Sequence, residues 1–176
     1  MIFLPFKSSK GFTLIELLVV IGILGILAAA LLQTIDPFEQ LKKGRDTVKR
    51  NTAIEVLNAN IRYYATHSEF PWTVAASPCT TPVAAGSSLK DLTTCITVLQ
   101  TEGELKTKFT EAVQSTGDDQ KIFVNYDAAA STINVCFRPE SKSFALDKLT
   151  KYGQNGTGAV GCPAVPPAGG CFQCFQ

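Results

Sequence analysis

The chain has 176 residues, 45% of them hydrophobic, and sets 16 Lys+Arg against 15 Asp+Glu. That length fits one modest domain with an amino-terminal appendage and argues against two large domains. The near-balance of charge leaves no basic field that would make nucleic acid the main partner.

Phe12 to Ile35 is almost wholly apolar, interrupted chiefly by Thr13, Glu16, Gln33 and Thr34. As a helix it would extend roughly 36 Å, enough to cross a bilayer core of about 30 Å. Lys7 and Lys10 precede it and no acidic residue lies between Met1 and Gly11, so the amino terminus stays cytoplasmic and the remainder is exported. Three fates compete for such a segment. It can be a secretory signal peptide, for which Ala28, Ala29 and Ala30 supply a cleavage site after Ala30. It can be a plain anchor, or a retained helix with a further task. Glu16 weighs against the first two, because a carboxylate in an apolar helix is costly and rarely present without a function. Gly22, Gly25, Ala28 and Ala29 fall on related faces and let neighbouring helices approach closely.

The string Gly11-Phe12-Thr13-Leu14-Ile15-Glu16-Leu17 closely resembles the class III signal of type IV prepilins and type II secretion pseudopilins. The resemblance implies a leader of residues 1–11, cut after Gly11 by a prepilin peptidase on the cytoplasmic side. Phe12 then becomes the N-methylated terminus of a mature subunit. Residues 12–35 serve as transmembrane and later fibre-core helix, and residues 36–176 form the exported globular domain. The implied partners are further copies of the chain joined through their amino-terminal helices, a membrane assembly platform and a separate assembly ATPase. In a bundle of such helices Glu16 would meet the α-amino group of Phe12 in a neighbour. A paired buried carboxylate is far less costly than an unpaired one, so the pair would set axial register.

Asp36-Pro37-Phe38-Glu39 reads as a helix start, with Asp36 as cap and Pro37 at the first helical position, so the helix breaks or kinks there. From Phe38 to about Thr66 the apolar positions Phe38, Leu41, Val48, Ala53, Val56, Leu57, Ile61 and Tyr64 recur at helical spacing and predict one face laid on a domain. The basic run Lys42, Lys43, Arg45, Lys49 and Arg50 is interleaved with Glu39, Asp46 and Glu55, which reads as a solvated face in preference to a DNA-binding or lipid-headgroup site, with intersubunit salt bridges a third reading. Pro71 forbids the helix to continue. The stretch Tyr63-Tyr64 to Phe70-Pro71 resembles the junction after the first helix of major pilins and pseudopilins.

Trp72 to Ser88 reads as a loop, and Leu89–Leu99 and Glu104–Ser115 as short helices. Three strands are expected at Ile122–Tyr126, Thr132–Phe137 and Ser143–Leu146, joined as a meander whose apolar face packs on the long helix. Residues 152–176, rich in Gly, Pro and Ala, read as an irregular tail. The expected class is therefore α+β, and the resemblance implies a pilin-like lollipop: a long helix, amphipathic over 36–66, on an antiparallel sheet of about three to four strands. Six cysteines, Cys79, Cys95, Cys136, Cys162, Cys171 and Cys174, all follow the apolar segment, and an even count in an exported chain points to disulfides. Local links such as Cys79 to Cys95, and one within the last four, are guesses among 15 pairings.

Chemistry is sparse. Gly156 to Gly161 spells G-x-G-x-x-G but is followed by Cys162-Pro163, which forbids the helix that would cradle a pyrophosphate. His67 is the single histidine, and the C-x-x-C of Cys171 and Cys174 sits at the end of the chain. Zinc on Cys162, Cys171 and Cys174 is weaker than disulfides in an exported chain. Asp118, Asp119 and Asp127 offer oxygen ligands for Ca2+ without a diagnostic spacing, and no other cofactor is expected. Asn155-Gly156-Thr157 is a glycosylation sequon. The reading is a non-enzymatic type IV pilus subunit, membrane-held by a single pass before assembly and extracellular afterwards. The alternatives are a type II secretion or competence pseudopilin and, more distantly, a secreted disulfide-linked binding protein cut after Ala30.

Overall fold

The computed structural model describes residues 11–34, 36–75, 77–79, 86–154, 156 and 170–176. The chain divides into two compact units, Met1–Phe38 and Glu39–Gln176. In the first, helix α1 spans Leu14–Thr34. None of its large apolar side chains from Leu14 to Leu32 is less than 46% exposed. Nothing among the described residues of the unit covers them, and Leu14–Leu32 is long and apolar enough to cross a membrane.

Helix α2, Pro37–His67, begins as its first residues dictate: Asp36 Oδ1 accepts from the Phe38 N–H at 3.1 Å, and Pro37 occupies a position whose missing N–H breaks no bond. It ends where Ser68 takes a left-handed φ of 60° and donates its N–H to the Tyr64 carbonyl, three residues ahead of Pro71. Phe70 then stacks on Trp72 and meets Tyr126 edge-on, which ties the helix end to the sheet.

The rest of the second unit comprises β1 (Ser87–Ser88), α3 (Thr93–Thr101), α4 (Phe109–Thr116), a 3-10 turn (Asp118–Gln120), β2 (Ile122–Asp127), β3 (Thr132–Phe137), α5 (Lys142–Ala145), β4 (Thr150–Tyr152) and β5 (Phe172–Phe175). The strands form one antiparallel sheet in the order β1-β2-β3-β5-β4. Ala53, Val56 and Leu57 of α2, Ile96 and Leu99 of α3, and Ile122, Val124, Val135 and Phe137 of the sheet are all buried in one core. The α+β class is as the sequence indicates.

Three details differ from expectation. Residues 143–146 do not form a strand: Ser141 caps a helical turn there by accepting from the Phe144 N–H at 3.4 Å. The strand beside β3 comes instead from the tail, whose last residues run between β3 and β4, with Cys174 opposite Cys136. Four residues are too few for a period to declare itself, so the tail's composition hid the strand. Finally, Phe38, Leu41, Val48, Ile61 and Tyr64 are exposed. The buried residues of α2 are Asp46, Lys49, Ala53, Val56, Leu57, Ala59, Asn60 and Tyr63. Phe38 and Leu41 precede the first of them, and Val48 and Ile61 lie off the face they share.

Disulfides join Cys79 to Cys95 and Cys136 to Cys174. Cys171 is also disulfide-bonded, while Cys162 lies outside the described residues. The 38-residue separation of Cys136 and Cys174 corresponds to about 4 kcal/mol of unfolded-state entropy. A Cys136→Ser/Cys174→Ser chain is therefore expected to lose roughly 10 °C in Tm, and among the described residues β4 pairs with β5 alone. Hydrogen exchange should show amides of β4 opening together with those of β5.

Candidate functional site

Gly11 and Phe12 lie outside α1 and are exposed, Phe12 at 83%. Thr13 is the residue before the helix and Glu16 its third. The Thr13 N–H and hydroxyl donate to Glu16 Oε2 at 2.9 and 2.7 Å, while the Glu16 N–H donates to Thr13 Oγ1 at 3.3 Å. This is a reciprocal capping box, and it places the carboxylate at the positive end of the helix. Glu16 is therefore not adrift in the apolar run. It closes the first turn of that run, and among the described residues its second oxygen has no donor. Thr13 was missed as a partner, although T-x-x-E ahead of an apolar helix is a legible signal.

In the second site of concentrated chemistry the solvated face holds for Lys43 and Arg45, which are exposed, and fails at Asp46 and Lys49. Asp46 and Lys49 are fully buried, with Lys49 Nζ 3.2 Å from Asp46 Oδ1. The Asp46 carboxylate accepts from the backbone N–H groups of Glu140 and Ser141 and from the Ser141 hydroxyl at 2.7 to 3.0 Å. Glu39 accepts from the Lys142 N–H at 3.0 Å. Two carboxylates of α2 thus hold the segment that opens α5. Glu140 in turn binds Lys49 at 2.7 Å, Arg45 at 3.0 Å and Lys121 at 3.1 Å. Burial pushes the Glu140 carboxyl up, but hydrogen bonds from Lys49 and Lys121, reinforced by their charges, outweigh it and hold the group at about 2.

The other residues singled out in the sequence do not converge. His67 stacks on Tyr63 at the end of α2, and its Nδ1 lies 3.1 Å from the Tyr63 carbonyl oxygen. Asp118 and Asp119 are buried in the 3-10 turn, whereas Asp127 accepts from the Ala129 and Ala130 N–H groups in the β2–β3 turn. Among the described residues no three His, Cys, Asp or Glu side chains gather as a metal site. The leader up to Lys10, the sequon at Asn155 and most of the Gly156–Gly161 string lie outside the described residues.

Searches of curated proteins and of solved structures find no match. One family, described as the prokaryotic N-terminal methylation motif, matches residues 6–32 and ends before α2. An exposed apolar helix headed by that motif fits a membrane-anchored precursor. At residues 6–32 the chain carries the prokaryotic N-terminal methylation motif, the class III signal of type IV prepilins and pseudopilins.

Proposed function

We propose that this chain is the precursor of a type IV pilus subunit. A prepilin peptidase cuts it after Gly11, Phe12 is methylated, and a membrane platform with a separate ATPase polymerises the mature subunits through α1 into an extracellular fibre. The observation that carries this reading is the Thr13–Glu16 capping box within the methylation motif, heading a helix whose apolar side chains are uncovered. A fibre core of like helices would cover them, and the Phe12 amine of a neighbour would supply the free Glu16 oxygen with a donor. A pilus is preferred to a short pseudopilus because the sheet is stapled through its last strand by Cys136–Cys174, armour suited to the cell exterior. The subunit is structural, and its chemistry is done on it rather than by it.

Mass spectrometry of the purified protein tests this directly. The expected amino terminus is Phe12 carrying one methyl group. A terminus at Leu31 would overturn the reading in favour of a conventional signal peptide.

A further inference from the structure

Lys42 of α2, Lys121 just before β2 and Arg138 just after β3 line a groove of about 630 Å³, with Phe123 and Phe172 among its walls. The two rings pack edge to face at 5.6 Å and give the groove an apolar side. Its one carboxylate, Glu140, is already held by Arg45, Lys49 and Lys121. Among the described residues, neither Lys42 nor Arg138 has an ion-pair partner. Formal net charge over the whole chain is only +1, so this surplus is local rather than a share of general basicity. It is assembled from three parts of the chain distant in sequence, so the run around Lys42 by itself does not show that Lys121 and Arg138 join it.

An anionic group with an apolar body fits such a groove, and the chain itself selects the source. Lys42 lies ten residues beyond Leu32, the last residue of the membrane-length segment, and ten residues reach at most about 35 Å. A precursor held by α1 therefore tethers this cation within that reach of the span's end, which gives it a high effective concentration toward a phospholipid surface. We propose that, before assembly, the groove binds the phosphodiester headgroups of anionic phospholipids on the exported side of the membrane. Phe123, half-buried and backed by the buried Phe172, would lie against the glycerol and upper acyl carbons, as apolar walls beside cations do at bilayer interfaces. The proposal rests on the reading of α1 as a membrane span.

The full chain is to be reconstituted in nanodiscs of phosphatidylcholine alone or mixed with phosphatidylglycerol, and its lysines acylated with an amine-reactive reagent and quantified by mass spectrometry. Phosphatidylglycerol should slow acylation of Lys42 about fivefold, the equivalent of one cation at an anionic surface. The exposed Lys90, Lys106 and Lys108 should not change. High salt or Arg138→Glu should restore the rate found in phosphatidylcholine. Equal labelling in both lipids, in a chain that co-purifies with the discs, overturns the groove and leaves the span intact. Protection by inorganic phosphate or an oligonucleotide, but not by phosphatidylglycerol, assigns the groove to another ligand and overturns the proposal. A chain that fails to enter the discs overturns the reading of α1 as well.

Discussion

Glu16→Gln should leave the chain in the membrane at its normal level and cut recovered fibre at least about tenfold, because it removes charge without removing the cap. Glutamine serves at the third position of a capping box, so the Thr13 N–H keeps an acceptor and α1 starts where it does now. What is lost is the negative charge that would answer the Phe12 amine of a neighbour. Thr13→Val is the complementary probe. It removes the hydroxyl that joins Glu16 in the box but keeps the carboxylate, and should fray the first turn while reducing fibre yield much less. The measurement is the amount of subunit in the sheared fibre fraction relative to that in the membrane. Wild-type yield from Glu16→Gln would end the pairing hypothesis. A collapse confined to Thr13→Val would mean that helix capping, not intersubunit charge, is what assembly requires.

The largest loss of stability is expected at Asp46. Asp46→Ala removes the acceptor for the Glu140 and Ser141 N–H groups and one of the two partners of the buried Lys49 ammonium. Stranding buried polar groups of this kind costs about 3–5 kcal/mol. The double change Asp46→Leu/Lys49→Met, which takes out both charges and refills the space, should recover part of that loss. Urea unfolding of the full chain in detergent, compared across the three proteins, checks both statements; a loss under about 1 kcal/mol from Asp46→Ala would refute the role given to the carboxylate.

The same cluster has a pH signature. Glu140 titrates near 2 in the folded chain against an ordinary value of 4.5. Its contribution is therefore complete above about pH 4.5 and drains away as pH falls toward 2. With its side chain 27% exposed, that contribution is on the order of 1–2 kcal/mol. Glu140→Gln should flatten the loss of stability across that window.

The sequence alone was enough to place the membrane-length helix, its break and the methylation motif, because each rests on neighbours along the chain. Apolar run length, the Asp36-Pro37 start and the short string from Gly11 to Leu17 are local patterns, and local patterns survive without a fold. The hairpin of β2 and β3 was legible for the same reason: its alternation and turn residues are contiguous.

Tertiary structure alone decided what happens to the side chains of α2 and to the end of the chain. Lys49 looks like any member of a basic run until Glu140, 91 positions later, arrives 2.7 Å away. Nothing within a helical turn foretells a partner at that separation. The strand at Phe172–Phe175 depends likewise on Cys136 and its neighbours, since four residues acquire extended structure only from the edges they pair with. Periodicity reports which side chains could share a face. Whether that face meets a core, a charge or solvent is set by long-range packing, and there the expectations for Val48, Ser143–Leu146 and Phe172–Phe175 gave way.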